Sequence, residues 1–305
     1  MSWRSRANLD WLAGLTGVQP DHPLASHTSF NLGGRADFFA EVKSRESLLA
    51  LISECHHRGI PRLLLGAGTN LLVADAGIEG LVVRCATRAH RIEGEHVCAE
   101  SGLKMMRLAR ICAAAGLSGF EWAIGVPGTV GGAVHQNAGC FGLDMSQVLL
   151  SAEGQIPGRD AQRWPAAELE LGYRSSALQR GALLGAVITS VTLRLRAGDP
   201  ALAIKTMAEH RAERERSQPL AGKSCGSVFK NPPADSAGRL IEAAGMKGAC
   251  EGGAQVSEQH ANFILNRGGA RAEDVDRLID RVRRAVRDTS GVELEPEVEK
   301  VGRWR

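Results

Sequence analysis

The sequence predicts a mixed α- and β-structured protein of about two domains, and three observations predict it. The chain has 305 residues, about two domains at the usual ~150 residues each and long enough to bury a sizeable core. Apolar residues recur at helical spacing in some segments and alternate or run together in short ones, so helices and strands are interspersed. Charged residues make up 23% of the chain and no low-complexity tract occurs, which excludes disorder.

Each element follows from local signals. Ser44 stands as an N-cap, and Leu48, Leu49, Ile52 and Cys55 recur at helical spacing until Gly59 stops the helix. Arg62 to Leu65 is a short apolar strand running into Gly66-Ala67-Gly68-Thr69-Asn70. Leu81 to Val83 reads as a second strand, and Ile92 to Ala99 as a third, interrupted by Gly94. Leu103 to Ala115 is a helix closed by Gly116. Gly125 to Gly142 carries too much glycine for a regular element and reads as a loop region. Val191, Leu193 and Leu195 alternate with Thr192, Arg194 and Arg196, the pattern of a half-buried strand. Gly198-Asp199-Pro200 breaks the chain before a charged helix, Ala201 to Arg216, so a domain boundary falls near residue 198. Beyond it come a segment punctuated by Gly and Pro (Gly226 to Pro233), a short helix ending at Gly245 and a strand, Asn262 to Leu265. A last helix carries Val275, Leu278, Ile279, Val282 and Val286 on one face.

Charge and cysteine usage narrow the function classes. Lys and Arg number 37 against 34 Asp and Glu, a net charge of +3 that is too balanced for nucleic acid or an anionic membrane to be the main partner. Any anion binding must be done by local positive sites. No run of about 18 apolar residues exists, and Met1 to Gln19 lacks a signal-peptide core, so the expectation is a soluble, cytoplasmic protein. The seven cysteines are spread widely without a C-x-x-C pair, the usage of reduced thiols and not of a zinc site. In Cys55-His56-His57 the neighbouring side chains point about 100° apart on a helix and cannot converge on one ion, so no metal is expected.

The unusual feature is 36 glycines beside only seven Phe, five Trp and one Tyr, which implies backbone that comes close to something. Gly66-Ala67-Gly68-Thr69-Asn70 follows a strand but lacks the third glycine of G-x-G-x-x-G and no amphipathic helix follows it, so a Rossmann site is excluded. No G-x-x-x-x-G-K-[ST] occurs either. The second loop, Gly125-Val126-Pro127-Gly128-Thr129-Val130-Gly131-Gly132-Ala133, offers several backbone N–H groups as a nest, with the Thr129 hydroxyl in addition. Each loop alone reads as a tight turn. Two in one region point to a phosphate-bearing cofactor held by backbone donors.

At these residues a resemblance enters. Thr28-Ser29-Phe30-Asn31-Leu32-Gly33-Gly34, Gly66-Ala67-Gly68-Thr69-Asn70-Leu71-Leu72 and Gly119-Phe120-Glu121-Trp122-Ala123-Ile124 running on through Gly125 to Ala133 resemble blocks of the UDP-N-acetylenolpyruvoylglucosamine reductases, also called UDP-N-acetylmuramate dehydrogenases. Gly172-Tyr173-Arg174-Ser175-Ser176, Gly226-Ser227-Val228-Phe229-Lys230-Asn231-Pro232, Gln255 to Phe263 and Leu294-Glu295-Pro296-Glu297-Val298 continue the likeness in order, from Thr28 to the C-terminus. The resemblance implies an α+β fold: a two-lobed FAD-binding domain of the vanillyl-alcohol-oxidase (PCMH) type and a C-terminal α/β substrate-binding domain. On this chain that means an N-terminal extension over 1–20, a FAD domain over 21–197 with lobes of about 21–85 and 86–197, and a substrate domain over 198–305. FAD would be bound non-covalently by Gly66, Ala67, Gly68, Thr69, Asn70 and Leu71 and by Gly125, Pro127, Gly128, Thr129, Gly131, Gly132 and Ala133.

The resemblance further implies that NADPH reduces the flavin, which then delivers hydride to the enolpyruvyl group of a UDP-sugar, with small molecules as the only partners and a monomer as the favoured state. Ser227 matches the family's proton donor, Arg174 the arginine that holds the substrate carboxylate, and Glu297 the C-terminal catalytic glutamate. Guanidinium suits a carboxylate because it is a bidentate fork that stays charged. A carboxyl group beside a substrate carboxylate is useful when protonated, as a donor to the enolate oxygen. Gly226 would permit close backbone approach to Ser227, and Cys225 is a chemical alternative that lies outside the matching position. Tyr173, Arg214, Gln218, Lys230 and Asn231 would contact the substrate. His135 departs from the family pattern, and the short spacing from Tyr173 to Arg214 leaves no room for the substrate-capping loop of longer members. Two other readings compete: an FAD-dependent oxidase on the same cofactor domain, and a silent flavin- or nucleotide-binding regulator.

Overall fold

The structure is a computed structural model that describes residues 3–304. Helix α1 spans Arg6–Gly14 and α2 spans Arg45–His57. The Ser44 hydroxyl accepts from the Ser47 N–H and caps α2, and Gly59, at φ +65°, ends it in the left-handed conformation that glycine adopts freely. Four strands hydrogen-bond in the order Val18–Pro23, Arg35–Val42, Ile78–Cys85 and Arg62–Leu65, the last two parallel with Leu63 opposite Val82. Leu12 of α1 and Leu48, Ile52 and Cys55 of α2 bury against Phe38, Leu81 and Val83, which makes one α+β lobe.

A five-stranded antiparallel sheet makes the second lobe, in the order Ala161–Pro165, Leu149–Gln155, Val187–Arg194, His96–Glu100 and His90–Glu93. The single strand expected over Ile92 to Ala99 is a hairpin, because Gly94 at φ +58° turns the chain back on itself. Val187–Arg194 lies centrally in this sheet; from Val191 on the expected alternation holds, with Val191, Leu193 and Leu195 buried and Arg194 and Arg196 exposed, whereas Val187 to Ser190 before it are buried throughout. Helix α3, Met105–Ala114, places Leu108 and Cys112 in the same core as Trp122, Val130 and Val191. The segment expected to be loop throughout, Gly125 to Gly142, contains helix α4, Val130–His135. Thr129 caps α4, and its apolar positions Val130, Ala133 and Val134 lie at helical spacing and are buried. Burial and the cap outweigh the helix cost of Gly131 and Gly132, about 1 kcal/mol each.

The chain divides into two compact units. The first comprises the residues up to Gln19, Phe38–Ala67 and Gly80–Glu213. The second comprises Pro20–Asp37, Gly68–Glu79 and the residues from Arg214 on. The chain crosses from one to the other inside helix α5, Pro200–Ser217, well past Gly198-Asp199-Pro200. In the second unit, α6 (Ala237–Ala243) and α7 (Ala272–Ser290) accompany an antiparallel sheet of Cys250–Glu251, Ala254–Val256 and Ile264–Asn266. The apolar face of α7 read from the sequence, Val275, Leu278, Ile279, Val282 and Val286, is buried there. Glu299–Val301 pairs in parallel with Leu71–Val73, and the Asp75 carboxylate accepts from the N–H groups of Ala272 and Glu273 at the start of α7. The chain just after the first glycine loop is therefore woven into the unit that holds the C-terminal third.

Candidate active site

The first glycine loop begins where strand Arg62–Leu65 ends. Gly68 takes φ +63°, and a Cβ at that position would overlap the His27 carbonyl oxygen. The N–H groups of Ala67, Gly68 and Thr69 have no acceptor among the described residues. A run of such donors is a concave anion site. Beside Gly66 and Ala67 lies a cavity of ≈ 190 Å³ whose lining includes Arg84, Lys104, Arg107 and Arg88. Arg84 pairs with Glu41 at 3.2 Å, whereas Arg88, Lys104 and Arg107 have no carboxylate within 4.0 Å among the described residues. The cavity is thus net positive and has room for a phosphate or ribose. These cations escaped the sequence reading because they come from separate elements and are diluted in a nearly neutral chain.

The second loop does something else. The N–H of Val130 donates to the Leu103 carbonyl at 2.8 Å, that of Gly131 to Ser101 at 2.8 Å and that of Ala133 to Thr129 at 2.9 Å. The Gly132 N–H reaches the Thr129 hydroxyl at 3.4 Å. Of the nest expected here, the amides of Val130, Gly131, Gly132 and Ala133 are spent inside the protein and the Thr129 hydroxyl serves as a helix cap, while the amides of Gly128 and Thr129 have no acceptor among the described residues. A Cβ at Gly131 would sit 2.8 Å from the Ser101 Cβ, and one at Gly66 would sit 2.6 Å from the Thr129 hydroxyl oxygen, so these glycines let the backbone pack closely against the Ser101 and Thr129 side chains. Gly125, Pro127 and Gly128 lead into this packed turn, with the Gly128 carbonyl accepting from the Met105 N–H.

In the same unit, Arg174 has φ +48°, in a region that non-glycine residues seldom occupy and that costs of order 1 kcal/mol. The tight turn from Gly172 to Ser175, bonded in both directions, imposes it. The guanidinium donates to the Gly139 carbonyl at 2.9 Å and lies 5.2 Å from the Tyr173 ring centroid, while Tyr173 is 53% exposed. Asn137 ties this turn to the end of α4 by donating to the Gly172 carbonyl, and the Ser176 hydroxyl donates to the His135 carbonyl.

In the second unit, backbone pairing brings the segment that follows Ser227 alongside Pro296 and Glu297. The Glu297 N–H donates to the carbonyl of Val228, the residue after Ser227, at 2.7 Å, and Phe229 bridges Pro296. Asn262, only 3% exposed, holds the opposite edge: its Oδ1 accepts from the Phe229 N–H and its Nδ2 donates to the Phe229 carbonyl. Asn262 falls within the Gln255 to Phe263 segment, and nothing in its residue type marks it as the clamp. Gly226 has φ +83°, a left-handed conformation that suits glycine, and no described residue beyond its chain neighbours lies within 4 Å of where a Cβ would stand. Burial, and after it the charge of Glu297, push the Cys225 thiol up, which keeps it protonated at neutral pH.

The remaining expected substrate contacts are occupied within the protein. Lys230 pairs with Glu295 at 2.6 Å, the Asn231 side chain accepts from the Ala237 N–H at the start of α6, and Arg214 donates to Gln218, the residue just past the end of α5.

Comparison with known proteins accounts for this arrangement. An FAD-binding domain matches residues 36–154, and the C-terminal domain of UDP-N-acetylenolpyruvoylglucosamine reductase matches residues 218–301. The molecule is an FAD-dependent oxidoreductase with a two-lobed α+β cofactor domain. The reductase from Chloroflexus aggregans is 42% identical over 288 residues, covering 92% of this chain and 96% of its own. That from Heliobacterium modesticaldum is 44% identical over 288 residues, covering 92% and 89%. The crystal structure of the reductase (MurB) from Thermus caldophilus is 36% identical with a TM-score of 0.79, over 93% of this chain and 97% of that one. The chain belongs to the UDP-N-acetylenolpyruvoylglucosamine reductase family, the FAD-dependent reductases of peptidoglycan precursor synthesis. Within the first unit, the Ala67 amide and the cations beside Gly66 and Ala67 fit an anionic group such as the diphosphate of FAD. Among the described residues, no helix is long and apolar enough to cross a membrane.

Proposed function

We propose that the chain uses NADPH to reduce the enolpyruvyl group of UDP-N-acetylglucosamine enolpyruvate to UDP-N-acetylmuramate, with Ser227, Glu297 and Arg174 as its catalytic residues. The observation that carries this reading is the pairing of the Ser227–Phe229 strand with Pro296–Glu297, which puts a hydroxyl and a carboxyl on adjoining backbone. When bound, FAD supplies the hydride that the terminal carbon of the enolpyruvyl group receives. Ser227 gives its proton to the neighbouring carbon, a transfer that a weak acid can make because that carbon is strongly basic once charge collects on the carboxylate. Arg174 holds the carboxylate with a charge that never titrates, and Glu297, protonated, donates a hydrogen bond to the enolate oxygen. Tyr173, Arg214, Gln218, Lys230 and Asn231 recognise the UDP-sugar, with Lys230 exchanging Glu295 for a phosphate. Both reactants are soluble nucleotides, which suits a cytoplasmic enzyme.

The purified protein should be yellow, should bleach with NADPH under anaerobic conditions and should regain colour on adding the enolpyruvyl substrate. Ser227→Ala should leave bleaching within about twofold of wild type and slow the return of colour by roughly 10²-fold or more, the usual worth of a positioned proton donor. Equal losses in both halves would make Ser227 structural. Rapid recolouring by air alone, with none by substrate, would move the protein to the oxidases.

A further inference from the structure

One residue of the first glycine loop turns away from the anion site that its neighbours form. The Asn70 side-chain Nδ2 donates to the backbone carbonyl of Glu297 at 2.8 Å. The Asn70 carbonyl accepts from the Glu299 N–H at 2.9 Å, and Leu71, the next residue, opens the strand that pairs in parallel with Glu299–Val301. From the other direction, the Glu297 N–H is held by the Val228 carbonyl at 2.7 Å. Both polar groups of the Glu297 backbone are thus fixed, one by the strand that carries Ser227 and the other by Asn70. Pro296, immediately before, has no N–H and a restricted φ, so it offers no third backbone donor to hold the segment.

We propose that Asn70 is a positioning residue for Glu297 and not a ligand of the flavin. This rests on the role given to Glu297 above. A primary amide suits the task, because it donates to a carbonyl without bringing a charge near a phosphate site. Asn70 follows Ala67, Gly68 and Thr69 in the same loop, yet its side chain is spent on the Glu297 carbonyl. Loss of the bond frees the Glu297 segment by a fraction of an ångström to an ångström. A displacement of that size is enough to cost up to about 10²-fold in a step that depends on alignment.

The test compares Asn70→Ala, Glu297→Gln and the double variant, each titrated with FAD as apoprotein and followed through the two half-reactions at saturating FAD. Asn70→Ala should keep the FAD Kd and the rate of bleaching by NADPH within about threefold of wild type, and slow recolouring by the enolpyruvyl substrate about 10- to 100-fold. The double variant should recolour no more slowly than Glu297→Gln alone, because the two residues act as one unit. If Asn70→Ala does not fold, Asn70→Ser, whose hydroxyl falls short of the Glu297 carbonyl, takes its place. An FAD Kd raised more than tenfold with recolouring at the wild-type rate would overturn the inference alone and return Asn70 to the flavin. Additive losses in the double variant would do the same. Recolouring at the wild-type rate by Glu297→Gln would overturn the reading of Glu297 and the inference together.

Discussion

In Gly66–Asn70 the amides of Ala67, Gly68 and Thr69 lack acceptors among the described residues, whereas in Gly125–Ala133 those of Val130, Gly131, Gly132 and Ala133 are taken by Leu103, Ser101 and Thr129. The two loops look alike as sequences. They differ because the first leaves a strand and passes on into another strand, which keeps its donors clear of helical bonding, while the second turns into helix α4 and lies against Ser101 and Leu103. Glycine therefore has two uses in this cofactor domain. In one it presents donors to an anion, and in the other it removes side chains so that the segments around the site can pack.

Substitution of a glycine that does both should give the largest effect. Gly68→Ala places a methyl group on the His27 carbonyl oxygen at a left-handed φ, and the strain adds to the clash. It should weaken FAD binding by 10²-fold or more and lower the stability of the apoprotein by about 3 kcal/mol, read by FAD titration and thermal unfolding. Flavin affinity within tenfold of wild type would mean that the loop does not hold the diphosphate in the conformation described. The smaller effect belongs to the second loop. Thr129→Val removes the cap on α4 while keeping the shape, so it should cost about 1 kcal/mol of stability and change the FAD Kd less than threefold. A tenfold loss of affinity with unchanged stability would show that the Thr129 hydroxyl serves the ligand and would erase the contrast between the loops.

Much of this was legible in the sequence because it depends on local chemistry. The Ser44 cap, the Gly59 and Gly116 stops, the strand before Gly66 and the buried face of α7 each follow from residues a few positions apart. What was not legible depends on partners far along the chain. Asn70 meets Glu297, Asp75 meets Ala272, and Arg84, Arg88, Lys104 and Arg107 gather around one cavity although no segment among them is strongly basic. Helix α4 was missed for a different reason: Gly131 and Gly132 argue against a helix locally, and only burial of Val130, Ala133 and Val134 reverses that. The glycine excess points to close backbone approach, which holds at Gly68 against the His27 carbonyl and at Gly131 against Ser101.

Amide hydrogen exchange on the apoprotein, before and after FAD is added, tests the contrast between the loops most directly. The account predicts that Val130 and Gly131 are protected without flavin, that Ala67, Gly68 and Thr69 exchange freely, and that FAD slows exchange in the second group alone. Free exchange at Val130 and Gly131 in the apoprotein, with protection at both loops appearing only on FAD binding, would contradict it.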